Sequence, residues 1–149
     1  MIRIRRTTSD DADFQVLVSA LDQELKIRDG DEHAFYAELN KTGTLRHAVV
    51  AYDGEEAVGC GAFREYSRGV MEIKRMFVPI HRRKKGIASR VLAELETWCR
   101  EIGITKCILE TGRNQPEAIG LYGKNGYSRI PNFGKYEDSA NSVCFEKLI

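Results

Sequence analysis

Several things are scarce in this chain. No stretch holds the roughly 20 consecutive apolar residues that a membrane-spanning helix needs. The opening Met1-Ile2-Arg3-Ile4-Arg5-Arg6 lacks the apolar centre of a secretory signal. Both point to a cytoplasmic protein with no membrane partner. Net charge is nearly absent: 23 Lys and Arg against 22 Asp and Glu leave +1. A balance so close to neutral argues against nucleic acid as a partner. The four cysteines, Cys60, Cys99, Cys107 and Cys144, form no CxxC pair, and none stands beside a histidine at metal-ligand spacing. They read as small core residues, and no metal is expected. His33, His47 and His81 are scattered and receive no role. No repeat, low-complexity segment or Pro/Ser-rich linker interrupts the chain, so residues 1–149 read as one domain, long enough to bury a core.

The remaining sequence is well patterned. Ile2 and Ile4 alternate with Arg3 and Arg5, which predicts a half-exposed strand over Ile2–Thr7. Ser9 is the expected N-cap of a helix carrying Phe14, Leu17, Val18, Leu21 and Leu25 at helical spacing, and Gly30 breaks it. A second helical stretch is expected over about Asp31–Asn40. Strands over Leu45–Tyr52 and Ala57–Tyr66 flank the hairpin signal Asp53-Gly54, and Ser67-Arg68-Gly69 turns the chain into a third, Val70–Val78. A helix follows with Ile87, Val91, Leu95, Trp98, Cys99 and Ile102 on one face, stopping at Gly103. Lys106–Glu110 reads as a strand and Pro116–Lys124 as a helix closed by Gly126. Tyr127–Ile130 and Asn141–Leu148 read as a final strand pair. The order β-α-α-β-β-β-α-β-α-β-β predicts an α/β protein with a mixed sheet and helices on both faces.

The junction after the third meander strand carries the chemistry. Met76-Phe77-Val78-Pro79-Ile80 runs into the basic turn His81-Arg82-Arg83-Lys84-Lys85-Gly86, which opens into a helix at Ile87-Ala88-Ser89. A helix N-terminus presents free N–H groups and a positive dipole end, so this is a prospective anion site. Arg83 to Ala88 reads R-x-x-G-x-A. Thirty residues on stand Asn114-x3-Ala118-x3-Tyr122 and Asn125-Gly126-Tyr127. Together with the order of elements, these motifs resemble the GCN5-related N-acetyltransferases, the GNAT superfamily, over nearly the whole chain. Two departures stand out. Lys84 and Ile80 occupy positions where relatives often have Gly and Pro, and the Asn114 spacing is longer by one residue.

The resemblance implies acetyl transfer from acetyl-CoA directly to an amine within a ternary complex, most simply a small-molecule amine, with a homodimer as a possible assembly. It assigns the pyrophosphate to backbone N–H groups of Arg83, Lys84, Lys85, Gly86, Ile87, Ala88 and Ser89. Met76, Phe77 and Val78 would bind the pantetheine arm and polarise the thioester at a bulge. Asn114 would contact the cosubstrate or cap its helix. Tyr122 would protonate the leaving thiolate, since a phenol at pKa ~10 can donate as a thiolate forms. The residues themselves nominate a base. Glu72 is a charged residue in mid-strand, placed by alternation on one face with Lys74, Met76 and Val78. A cross-strand ion pair with Lys74 or Arg64 is the competing account, and Glu110 is a second candidate. Two other functional classes remain: a non-catalytic acetyl-CoA-binding sensor, and a protein N-terminal or lysine acetyltransferase. Asp22, Glu24, Asp29, Asp31, Glu32 and Glu38 would suit a cationic acceptor.

Overall fold

The computed structural model describes residues 1–30 and 44–149. The expected helix over Asp31–Asn40 lies outside the described residues. Strand β1 (Ile2–Thr7) leads to helix α1 (Ala12–Asp29). A meander follows: β2 (His47–Asp53), β3 (Glu56–Ser67) and β4 (Val70–Phe77). Helix α2 (Ile87–Glu101), β5 (Lys106–Gly112), α3 (Pro116–Lys124), β6 (Ser128–Ile130) and β7 (Ser142–Leu148) complete the order. The seven strands form one mixed sheet in the order β1-β2-β3-β4-β5-β7-β6. All neighbours are antiparallel except β4 and β5.

Alternation along β2 assigns the faces. Ala48, Val50 and Tyr52 pack with Phe14, Leu17, Leu21 and Leu25 of α1, whereas Val49 and Ala51 pack with Val91, Leu92 and Leu95 of α2 and Tyr122 of α3. The sheet is therefore filled on both sides, by α1 on one and by α2 and α3 on the other. Helix α2 comes close to β3, because a Cβ on Gly61 would meet Met76 Sδ at 2.6 Å and Leu95 Cδ1 at 2.8 Å. All four cysteines are free and buried, in keeping with their expected core role. No helix among the described residues is long and apolar enough to cross a membrane.

Three local expectations need correction. Asp11, not Ser9, caps α1, accepting from Phe14 N–H at 3.0 Å. Ser9 instead staples the chain to Leu45, its Oγ accepting from Leu45 N–H at 2.8 Å. Ile102 lies beyond the end of α2 and is exposed, while Leu92 and Glu96 are buried in its place. The largest correction is in β4. Its register with β3 slips between Ala62↔Lys74 and Cys60↔Phe77, so one extra residue bulges there, and Arg75 takes φ +59°. Alternation breaks at that point. Phe77 joins the α1 side, while Met76 and Val78 pack on the α2 side with Met71 and Ile73. Glu72 therefore shares a face with Lys74 but not with Met76 or Val78.

Candidate active site

Strands β4 and β5 pair in parallel only from Val70↔Lys106 to Ile73↔Leu109. Beyond Ile73 the bulge carries β4 away, and the two strands part. A cavity of about 100 Å³ occupies the gap. Its wall takes Lys74, Arg75 and Met76 from β4, Glu110 and Thr111 from β5, Asn114, Ala118 and Tyr122 from α3 and its entry, and Leu25 and Asp29 from α1. Backbone groups of β4 past Ile73 have no ladder partner in β5, which leaves main-chain donors and acceptors to a ligand.

The loop before α2 has the conformation of an anion cradle. Lys84 at φ +66° and Gly86 at φ +80° alternate left-handed with ordinary backbone. Helix α2 makes its first internal bond from Arg90 N–H to Gly86 O, so the N–H groups of 87–89 point out of its end. A Cβ on Gly86 would meet nothing within 4 Å. The space in front of the loop is open, and these residues fit a pyrophosphate. Lys84 and Lys85 are exposed beside it. Ile87 is buried in the core and Ala88 packs against it. Ser89 Oγ accepts from Asn125 Nδ2 at 3.1 Å, which ties the start of α2 to the end of α3.

The other basic side chains are committed to structure. Arg82 pairs with Asp53 at 2.8 Å and with Glu56 of the β2–β3 hairpin. Arg83 Nε donates to Val78 O at 2.8 Å, and its Nη2 meets Glu24 of α1 at 2.7 Å. Arg83 thus anchors the loop by its side chain.

The two carboxylate candidates occupy different settings. Glu72, 1% exposed, accepts from Tyr136 Oη at 2.9 Å and from Lys74 Nζ and Arg64 Nε at 3.4 Å each. Both ion pairs weighed from the sequence are thus present. Lys74 also donates to Tyr136 Oη at 2.8 Å, and burial lowers its pKa, with Glu72 pulling the other way. Glu110 lies on the cavity wall and accepts from Ser142 Oγ at 2.6 Å. Burial raises its pKa above the ordinary glutamate range, against the lowering pull of Ser142 and Lys74. Tyr122 is buried against Tyr127 and Phe145, and burial, then the Glu110 charge, raise its phenol.

The gap thus brings together Met76, Asn114, Tyr122 and Glu110, and leaves Glu72, Phe77 and Val78 off the cavity wall. Asn114 does not cap α3, whose N-cap is Gln115. Its Nδ2 instead donates to Arg28 O at 3.3 Å, closing the end of α1. Lys74 and Arg75 as cavity residues and Ser142 as the partner of Glu110 were not anticipated. The bulge that exposes the first two has no local signal, and Ser142 reaches Glu110 only through the β5–β7 pairing.

Comparison with known proteins settles the lineage. The sequence model of the acetyltransferase (GNAT) family matches residues 12–127. This chain belongs to the GNAT acetyltransferase family. It is 37% identical over 100 residues to an IAA acetyltransferase of Azospirillum brasilense, a match covering 66% of this chain and 65% of that protein. The match thus spans just under two thirds of that relative's length. A Klebsiella pneumoniae structure assigned to the acyl-CoA N-acyltransferases superposes with a TM-score of 0.81 at 31% identity, covering 99% of this chain and 97% of that one. The fold is shared with PaiA N-acetyltransferase of Thermoplasma acidophilum, solved in complex with coenzyme A: TM-score 0.74, 17% identity, 100% and 99% covered. The mixed sheet with helices on both faces is thus the GNAT acyltransferase fold expected from the order of elements.

Proposed function

We propose that this GNAT protein transfers the acetyl group of acetyl-CoA to the primary amine of a small molecule, directly and within a ternary complex. The observation that carries the reading is the parting of β4 and β5, which sets Glu110 and Tyr122 on one cavity. Acetyl-CoA supplies an acetyl thioester, an activated acyl group with a thiolate to leave. The N–H groups at Gly86–Ser89 hold its pyrophosphate, and the side of β4 next to the bulge holds the arm beside the gap. Met76 and Asn114 border the same space.

Glu110 is the group that takes the proton from the acceptor ammonium. It lines the cavity, and its raised pKa brings it nearer the proton affinity that a base needs at neutral pH. Glu72 is held by three donors, and its role is to fix Lys74 and Tyr136. Tyr122 keeps its proton at neutral pH and gives it to the departing sulfur. The small cavity favours a small acceptor.

Calorimetric titration with acetyl-CoA, run beside Gly86→Trp, tests the reading. Binding by the wild type that the indole abolishes is expected. No binding by a folded wild type sinks the assignment. Binding with no turnover of any amine across a broad panel favours a sensor instead.

A further inference from the structure

A second cavity, of about 440 Å³, opens at the far side of β7 and is lined by Arg113, Arg129, Asn132, Glu137, Ser139 and Ser142, among others. Two of these serines connect it to the first. Ser142 Oγ lies 2.6 Å from Glu110 Oε2 and 2.7 Å from Ser139 Oγ. Both serines are buried, at 2% and 3% exposure. A hydroxyl carries one proton. With the proton of Ser142 on Glu110, Ser139 must donate to Ser142, and the bonds run in one direction.

The backbone holds this line in place. Ser142 is set opposite Gly112 by the β5–β7 register, diagonal to Glu110 on the neighbouring strand. Ser142 N–H bonds Ser139 O at 3.2 Å, and Asn132 Nδ2 donates to both Tyr136 O and Ser139 O at 3.1 Å. The turn before β7 is thus braced around the two hydroxyls.

We propose that Ser142 and Ser139 form a hydroxyl relay that positions Glu110 and carries its proton out to the second cavity. The proposal rests on Glu110 being the base. After the ammonium gives its proton to Glu110, both hydroxyls rotate so that Glu110 donates to Ser142 and Ser142 to Ser139, and the carboxyl O–H proton passes to Ser142 Oγ as the Ser142 proton passes to Ser139 Oγ. The Ser139 proton then leaves to water. Each oxygen gains one proton and loses one, so both hydroxyls return neutral and Glu110 returns as carboxylate. Of the two protons that an ammonium loses on becoming an amide, one goes this way and the other to sulfur. Other groups also act on Glu110: Lys74 and Glu72 from β4, and Asp29 from the end of α1. Tyr122 from α3, Tyr136 from the turn before β7 and Cys144 from β7 lie within its field. The test must therefore move the Ser142 bond alone.

The probes are the full chain with carboxyl-labelled glutamate, read by ¹³C NMR titration, and hydrolytic thiol release from acetyl-CoA alone, in which water takes the place of the amine and gives its proton to Glu110. Glu110→Gln identifies the Glu110 signal. In Ser142→Ala the Glu110 titration should move to higher pH, because a donor to its charged form is gone, and Ser142→Thr should bring it back. Ser139→Ala keeps that donor, so the titration should stay in place while thiol release falls about tenfold and its solvent deuterium isotope effect grows. An unmoved Glu110 titration in Ser142→Ala, or full thiol release in Ser139→Ala, overturns the relay. If Glu110→Gln releases thiol at the wild-type rate, the base assignment falls and the relay with it. Loss in Glu110→Gln with neither serine effect overturns the relay alone.

Discussion

Glu72 and Glu110 sit on neighbouring strands, and their surroundings are opposites. Glu72 lies where β4 and β5 are still paired, opposite Ile108, and three donors converge on it. Glu110 lies one residue past the last β4–β5 pair, on the wall of the gap, with Ser142 donating to it. A carboxylate enclosed by donors is a structural counter-ion. A carboxylate partly stripped of water and given one donor holds its charge poorly and is ready to take a proton. The difference comes from where the bulge falls, since both residues are glutamates on strands.

Substitutions can break this comparison, the most damaging first. Glu110→Gln removes the proton acceptor and keeps the shape, so kcat should fall about a thousandfold with acetyl-CoA affinity unchanged by calorimetry. Full activity would overturn the assignment. Glu72→Ala should act on stability, because it leaves Lys74 buried without its carboxylate. A loss of about 3–5 kcal/mol in urea unfolding is expected. If the loss fell on kcat alone, the two roles would be exchanged. Tyr122→Phe should lower kcat about a hundredfold with little change in cosubstrate affinity, and equal loss of both would remove it as the acid.

The smallest effect sharpens the contrast in the other direction. The pKa of Glu110 is raised in the folded chain. Between its unfolded and folded values, the folded chain keeps a proton that the unfolded chain has lost. Stability therefore falls as pH rises through that window. Glu110→Gln has no proton to lose there. It should melt above the wild type at neutral pH, and the gain should vanish below the ordinary carboxylate range. An activity loss joined to a stability gain is what a functional, strained group gives.

Much of this architecture is legible in the sequence because the signals are local. Asp53-Gly54 marks the first hairpin, and Pro116 and Gly126 bracket α3. The run Arg83–Ser89 marks a basic turn that opens a helix, whatever strands surround it. The misreadings come from partners distant in sequence. Tyr136 reaches Glu72 from 64 residues away and Arg83 reaches Glu24 from 59, so neither commitment is visible in a window around the motif. Ser9 has the composition of a cap, but Leu45 claims its hydroxyl, and Asp11 takes the helix. Strict alternation fails at Arg75 because a bulge is a choice between two strands, and a cation at φ +59° gives no warning of itself.

That one surplus residue also bears on how this lineage can change. Most replacements at position 75 keep the count of residues between Lys74 and Phe77, and so keep the gap. An in-frame loss of its codon would keep every motif in the gene legible and still restore the uninterrupted pleat. Met76, Phe77 and Val78 would keep their present sides, since without Arg75 they alternate regularly with Lys74, and β4 would be free to run on beside β5. Substitution and deletion at the same codon are therefore unequal events, the first tolerable to inheritance and the second fatal to the cleft.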